Sequence, residues 1–321
     1  MRCLAIAQAW QDVGGEALFA AGEMPEGLRS RLRAHGLPFA PIEATPGSLE
    51  DAVATITQAH EINADWVVVD GDRFRNDFLE HLYYAGLHVL LIDDGADRAA
   101  SFANLIVNPN FGANEKFYRA QGLKAPVLAG PSYILLRREF HESGEKHASD
   151  KGNRVLITLG GSDPDDLTPR IAAALDSPGL KLTVVAGAAY SNAQALQGIR
   201  GRQLKVMVDA QNMAELMKES DLAVIAAGGT LGELLAVGCV ALSYARNTLQ
   251  MRAVQALARE GVVLNMGDAA LFDVAALALA VERLTRSKSA REQMAARGRK
   301  LVDGRGAARV VEAIQHWEGR R

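Results

Sequence analysis

Cysteine is nearly absent: Cys3 and Cys239 are the two in 321 residues. They are far apart and lack metal-type spacing, so they read as small buried apolar residues in a reducing compartment. An excess of positive charge is also missing. Lysine and arginine number 35 against 38 acidic residues, a formal net charge of -3, and the electrostatic footprint of a nucleic-acid binder is not there. No apolar run is long enough to span a bilayer. The opening MRCLAIAQAWQ has neither a sustained apolar core nor a small-residue cleavage site, and does not read as a signal peptide. The expectation is a soluble, cytoplasmic protein with no membrane span and no nucleic-acid partner. Its length suggests about two domains.

Several catalytic patterns are missing as well. There is no G-x-S-x-G, no Gly-Lys-Ser/Thr after a glycine loop and no G-x-G-x-x-G. The seven histidines (His35, His60, His81, His88, His141, His147 and His316) fall in helical patterns, in a polar linker or at a strand start, and none in a glycine loop. Without a histidine or a third clustered acid beside the paired aspartates, no metal site is expected. No cofactor is expected either.

What the chain does have is alternation. Hydrophobic residues make up 49% and charged residues 23%, ordinary for a globular protein. The first dozen residues predict an amphipathic helix with Leu4, Ala5, Trp10 and Val13 toward a core. Strands and helices then alternate to about residue 140, with a strong buried strand over Asp65–Asp70. The polar segment 141–153, HESGEKHASDKGN after Phe140, reads as a linker. Alternation restarts at Arg154 and ends in a helical tail. These patterns predict an α/β protein with two doubly wound, Rossmann-like lobes and a helical C-terminal tail: 1–140, linker 141–153, 154–304, and a last helix over 305–321. Ligands of such sheets bind at the carboxyl ends of the strands.

Two glycine junctions stand out in the second half. In DLAVIAAGGTLGELLAVG, the strand Leu222–Ala227 runs into Gly228-Gly229-Thr230 and then a helix expected to open at Leu231. Such a junction presents unpaired N–H groups and a helix dipole to an anion. Glu233 lies within reach of sugar hydroxyls beside a bound phosphate. An alternative is an ordinary capped helix, with Thr230 as N-cap and Glu233 completing a capping box. The other junction, Leu159-Gly160-Gly161-Ser162-Asp163-Pro164, follows a strand in the same way. It reads as a phosphate loop, as a turn capped by Asp163 with Pro164 at the first helical position, or as both. In the first half, strand ends carry Asp70, Asp72, Asp93 and Asp94. Such carboxylates are candidates for a general base or sugar ligands, or simply turn caps beside Gly95.

The segments MRCLAIAQAW, ADWVVVDG, VLLIDDGADR, NLIVNPN, LAGPSYILLRREF, VLITLGGSDPDDLTPRIAAAL and MAELMKESDLAVIAAGGTLGELLAVG run in order over nearly the whole chain. Together they resemble the group that contains the UDP-sugar hydrolase of pseudaminic acid biosynthesis (PseG) and the spore-coat polysaccharide protein SpsG. These are relatives of the MurG-type glycosyltransferases with a GT-B fold, in which two lobes face a cleft. The resemblance implies that Gly160, Gly161 and Ser162 face the phosphates. It places Gly228 to Leu231 under the diphosphate, Glu233 on the ribose, Met213 near the uracil and Gln250 near the sugar. Members of the group open with a strand and a Gly-x-Gly-His loop bearing the catalytic base. Here Met1 stands where the following segment starts. That leaves either a start upstream of Met1 or a divergent member, and a first sheet lacking a central strand would expose its edges. The group's Asp-His-Tyr reads Asp70-Gly71-Asp72, and its Asn-Gln pair reads Leu249-Gln250. Asp70 or Asp72 is then the expected base. The implied activity is UDP-sugar hydrolysis, with glycosyl transfer or nucleotide-sugar binding without chemistry as alternatives.

Overall fold

The computed structural model describes all residues except 23, 96–99, 142–148, 188, 193–195, 197, 199–200 and 318–321. Most of the expected linker and the helix expected near 193–199 lie outside the described residues. The chain divides into two compact units: Met1–Arg138 with Gly304–Arg321, and Glu139–Asp303.

The first unit runs α1 (Arg2–Asp12), β1 (Phe19–Ala21), α2 (Glu26–Ala34), β2 (Phe39–Pro41), α3 (Leu49–Glu61), β3 (Trp66–Asp70) and α4 (Asn76–Tyr84). It continues with β4 (His88–Ile92), β5 (Leu105–Asn108), α5 (Glu115–Ala120) and β6 (Val127–Ala129). Every strand pair is parallel. β1 pairs with β2 in one small sheet, and β3-β4-β5-β6 form another. Among the described residues β1 and β3 each keep one edge without a strand partner. The first unit therefore has two sheets where the resemblance implies one.

Helix α1 lies between two apolar clusters. Ala5, Ile6 and Ala9 join Leu90, Ile92, Leu105 and Val107 of the larger sheet. Leu4 and Ala7 join Leu32 and Leu37, with Phe19 and Phe39 of the smaller one packed against them. Leu4 to Ala9 are consequently all buried. Burying Leu4 and Ile6 contributes ~1.5–3 kcal/mol each. Val13, expected in the core, is instead 51% exposed, because the helix stops at Asp12 and Val13 only caps it.

The second unit runs from the short α6 (Arg138–His141) through β7 (Arg154–Thr158), α7 (Leu167–Leu175), β8 (Lys181–Ala186), β9 (Leu204–Val208), α8 (Met213–Glu219) and β10 (Leu222–Ala226). Next come α9 (Gly229–Val237), β11 (Val240–Ala245), α10 (Thr248–Arg259), β12 (Val263–Asp268), α11 (Val274–Arg286) and α12 (Lys288–Leu301). The last helix, α13 (Gly306–Gln315), packs Ala307, Val310, Val311 and Ile314 beside α1 in the first unit.

Six parallel strands form the sheet of the second unit, in the order β12-β11-β10-β7-β8-β9. β10 is central and buried along its whole length, which explains its unbroken apolar sequence. The chain passes from β7 outward to β8 and β9, then returns to lay β10 on the other side of β7. The direction of winding therefore reverses between β7 and β10, and the loops leaving these two strands flank the reversal. Ligands of open α/β sheets bind at that place.

Candidate functional site

Both glycine junctions lie at this switch point. After β7, Gly160 has φ +89°, a left-handed conformation that favours glycine. A Cβ at Gly160 or Gly161 would meet nothing within 4 Å, so the space beside them is open. Asp163 is 5% exposed and turns inward. Its carboxylate accepts the N–H groups of Leu167 (3.3 Å) and Thr168 (2.9 Å) and the Thr168 hydroxyl (2.7 Å). The helix starts at Leu167, so Asp163 caps it across a longer turn, and Pro164 is not its first residue. The next helical residue, Pro169, has no N–H. The first-turn donors of α7 are thus consumed or missing. A ligand above β7 meets the glycine loop itself, whose Gly161 and Ser162 are exposed.

The junction after β10 is the reverse case. Gly228 is an extended N-cap with no side-chain cap, and the helix begins at Gly229. That is two residues before the expected start. Thr230 is then the second helical residue rather than the N-cap, so the Thr230–Glu233 capping box does not form. Leu231 N–H closes a turn onto the Gly228 carbonyl at 3.1 Å. The first-turn amides of Gly229 and Thr230 lie at a helix end with no acidic residue in its first turn. Added Cβ atoms at Gly228 and Gly229 would meet nothing within 4 Å. The result is an uncapped, sterically open, positive dipole end, which can hold an anion. Leu231 sends its side chain into the core, and its N–H is already committed to Gly228. Glu233 is half-buried in the next turn.

Met213 is the half-buried first residue of α8, the helix that crosses from β9 to β10 and packs against α9. Gln250, in the first turn of α10 beyond β11, is partly committed. Its Oε1 accepts Arg246 N–H at 2.9 Å, while its own N–H donates to Asn247 Oδ1 at 2.9 Å. That leaves its side-chain NH₂ to donate.

In the first unit, Asp70 ends β3 and is bound by an arginine that sequence reasoning did not single out. Arg2 Nε and Nη2 donate to its two carboxylate oxygens at 3.2 and 2.5 Å. The same guanidinium donates to both oxygens of Asp94 at 2.5 and 3.0 Å, and Asn110 Nδ2 donates to Asp94 at 2.9 Å. Burial opposes the Arg2 charge, but the hydrogen bonds it donates to Asp94 and Asp70 outweigh it and raise the guanidinium further. Burial, reinforced by Asp70, pushes the neighbouring Cys3 thiol up to about 12. Asp72 sits exposed on the turn after Gly71. Asp93 is instead buried, accepting the Tyr118 hydroxyl at 2.7 Å, and Tyr118 in turn accepts from Asn108 at 2.8 Å. Among the described residues no group of three His, Cys, Asp or Glu side chains could hold a metal. No described helix is long and apolar enough to cross a membrane.

These parallel sheets, helices and strand-end loops define a GT-B fold. Acinetobacter baumannii MurG matches over 98% of this chain and 95% of its own, at 17% identity and a TM-score of 0.66. Within that class, the chain is similar to the spore coat polysaccharide biosynthesis protein SpsG of Bacillus subtilis. The two are 28% identical over 234 residues, covering 71% of this chain and 69% of SpsG. It is also 27% identical over 169 residues to the UDP-2,4-diacetamido-2,4,6-trideoxy-beta-L-altropyranose hydrolase of Campylobacter jejuni. That match covers 50% of this chain and 60% of the hydrolase. No protein-family model matches the chain.

Proposed function

We propose that this chain is an enzyme that binds a UDP-sugar at the β7/β10 switch point and cleaves its anomeric C–O bond with water, releasing UDP. The observation that carries the reading is the pair of open glycine junctions flanking one switch point, one of them an uncapped helix end. The diphosphate lies over the Gly229 and Thr230 amides, with Gly160, Gly161 and Ser162 on its other side. Glu233 takes the ribose hydroxyls, Met213 the uracil edge and Gln250 the sugar. Amides fixed in this way stabilise the charge that grows on the departing UDP without reorganising. The hydrolase relative supports water as the acceptor.

The base is drawn from the aspartates at the end of β3. Asp70 is clamped by Arg2, which donates to both of its carboxylate oxygens and so competes with a water for them. Asp72, exposed on the adjacent turn, is the better candidate. A second reading, transfer of the sugar to a hydroxyl acceptor, is favoured by Asp70-Gly71-Asp72 and Leu249-Gln250, which depart from the hydrolase group's pattern. Incubation with UDP-sugars separates the readings. UDP release without acceptor supports hydrolysis, and release only with a hydroxyl acceptor supports transfer. UDP binding with no turnover in either condition would contradict an enzymatic role.

A further inference from the structure

The loop leaving β8 is built onto the glycine loop leaving β7. Gly187 comes so close that a Cβ there would lie 2.4 Å from the Gly161 Cα and carbonyl oxygen, and 2.6 Å from the Gly160 oxygen. Only a residue without a side chain fits. Ala189 N–H donates to the Gly161 carbonyl at 3.0 Å, and Tyr190 N–H closes a turn onto Gly187 at 3.1 Å. Two residues supply a second anchor. The Tyr190 hydroxyl donates to Asp166 Oδ1, and Asn192 Nδ2 donates to Asp166 Oδ2 at 3.0 Å. Asp166 has φ +48°, an uncommon conformation for a non-glycine residue, and stands immediately before α7. The 160–166 loop is therefore held at both ends: at Gly161 by backbone contact and at Asp166 by two side chains.

A loop with two adjacent glycines loses much conformational freedom when it orders around a ligand. Ordering it in advance lowers the cost of binding. Burial and the Asp166 carboxylate both raise the Tyr190 phenol, keeping its proton available for this bond at physiological pH. We propose that Tyr190, acting through Asp166, is a positioning residue that aims the Gly161 and Ser162 amides at the phosphates of the bound nucleotide. This rests on the reading that the loop binds a nucleoside diphosphate. It concerns the phosphates alone, since the base and ribose are assigned to Met213 and Glu233.

The test compares UDP with uridine, which lacks phosphates, by ligand-observed NMR titration of wild-type protein and variants. Tyr190→Phe removes one hydrogen bond to a carboxylate and is expected to weaken UDP about five- to tenfold. Uridine binding and the melting temperature should be unchanged. Asp166→Ala loses both hydrogen bonds and puts alanine at a positive φ, so it should weaken UDP at least as much as Tyr190→Phe and also lower the melting temperature, while Asp166→Asn keeps an acceptor oxygen and should retain UDP affinity within about twofold. Tyr190→Phe or Asp166→Ala weakening UDP and uridine equally, or leaving UDP unchanged while wild type binds it, overturns the positioning role. If wild type binds uridine and UDP equally, or neither, the diphosphate reading itself fails and this inference falls with it.

Discussion

Replacing Gly229 with alanine tests whether the open helix end serves a ligand or is an incidental feature of the fold. Gly229 is the first residue of α9, and an added Cβ meets nothing within 4 Å. The substitution therefore introduces no clash. It removes glycine's conformational freedom from the unfolded chain, worth ~0.4–1 kcal/mol of added stability. For a domain of this size that corresponds to a rise in Tm of roughly 1–4 °C. The same methyl occupies the space that phosphate oxygens need to approach the helix amides to about 3 Å. Losing one such charge-assisted contact costs ~1.5–3 kcal/mol, or roughly ten- to 150-fold in UDP affinity. Differential scanning fluorimetry and calorimetric titration with UDP measure the two effects on one sample. The expected result is a more stable protein that binds UDP poorly. A stabilised protein with unchanged UDP affinity would refute the anion site, and a destabilised one would refute the steric argument.

Three other predictions address separate parts of the molecule. Glu233→Ala should weaken UDP more than 2′,3′-dideoxy-UDP, and equal effects on the two would remove Glu233 from the ribose. Arg291 is 1% exposed and donates to the Leu284, Thr285 and Ser149 carbonyls at 2.5, 2.8 and 2.5 Å. Arg291→Ala strands all three and should cost ~3 kcal/mol, seen as a Tm drop of roughly 6–12 °C; a drop under about 2 °C would count against it. Cys3, with its thiol pushed up to about 12, should react with iodoacetamide at pH 8 roughly a thousandfold more slowly than a free cysteine. Because folding disfavours its thiolate, stability relative to Cys3→Ala should fall as pH rises from about 8.5 toward 12. Chemical denaturation at pH 8 and pH 10 checks the sign.

The alternation of strands and helices was legible because each period is local. Most elements lie within a residue or two of where apolar spacing places them, β10 being the clearest. Where the pattern misled, a longer-range contact was responsible. α1 reads as one-sided amphipathic, yet it is buried on two sides, because two sheets contact it from positions far apart in sequence. α5 is only 6 residues long, too short for a periodicity, although its Tyr118 anchors Asp93 from within the core. The C-terminal helix, separate from both lobes in the sequence pattern, packs in the first unit, a choice made by tertiary burial. The glycine junctions themselves were visible, but their unequal roles were not. Asp163 consumes the donors of one helix end while the other stays uncapped, and side-chain geometry decides which. Arg2 gave no signal because its carboxylate partners lie 68 and 92 positions away.

The central claim, cleavage of a UDP-sugar at its anomeric carbon by water, is tested most directly by turnover in ¹⁸O-labelled water with no acceptor present. Attack at the anomeric carbon breaks the bond between that carbon and the phosphate oxygen. Mass spectrometry should therefore find one ¹⁸O in the free sugar and none in the released UDP. Label in UDP would place the attack at phosphorus and contradict the account. So would an absence of UDP release until a hydroxyl acceptor is added, which would make the enzyme a transferase.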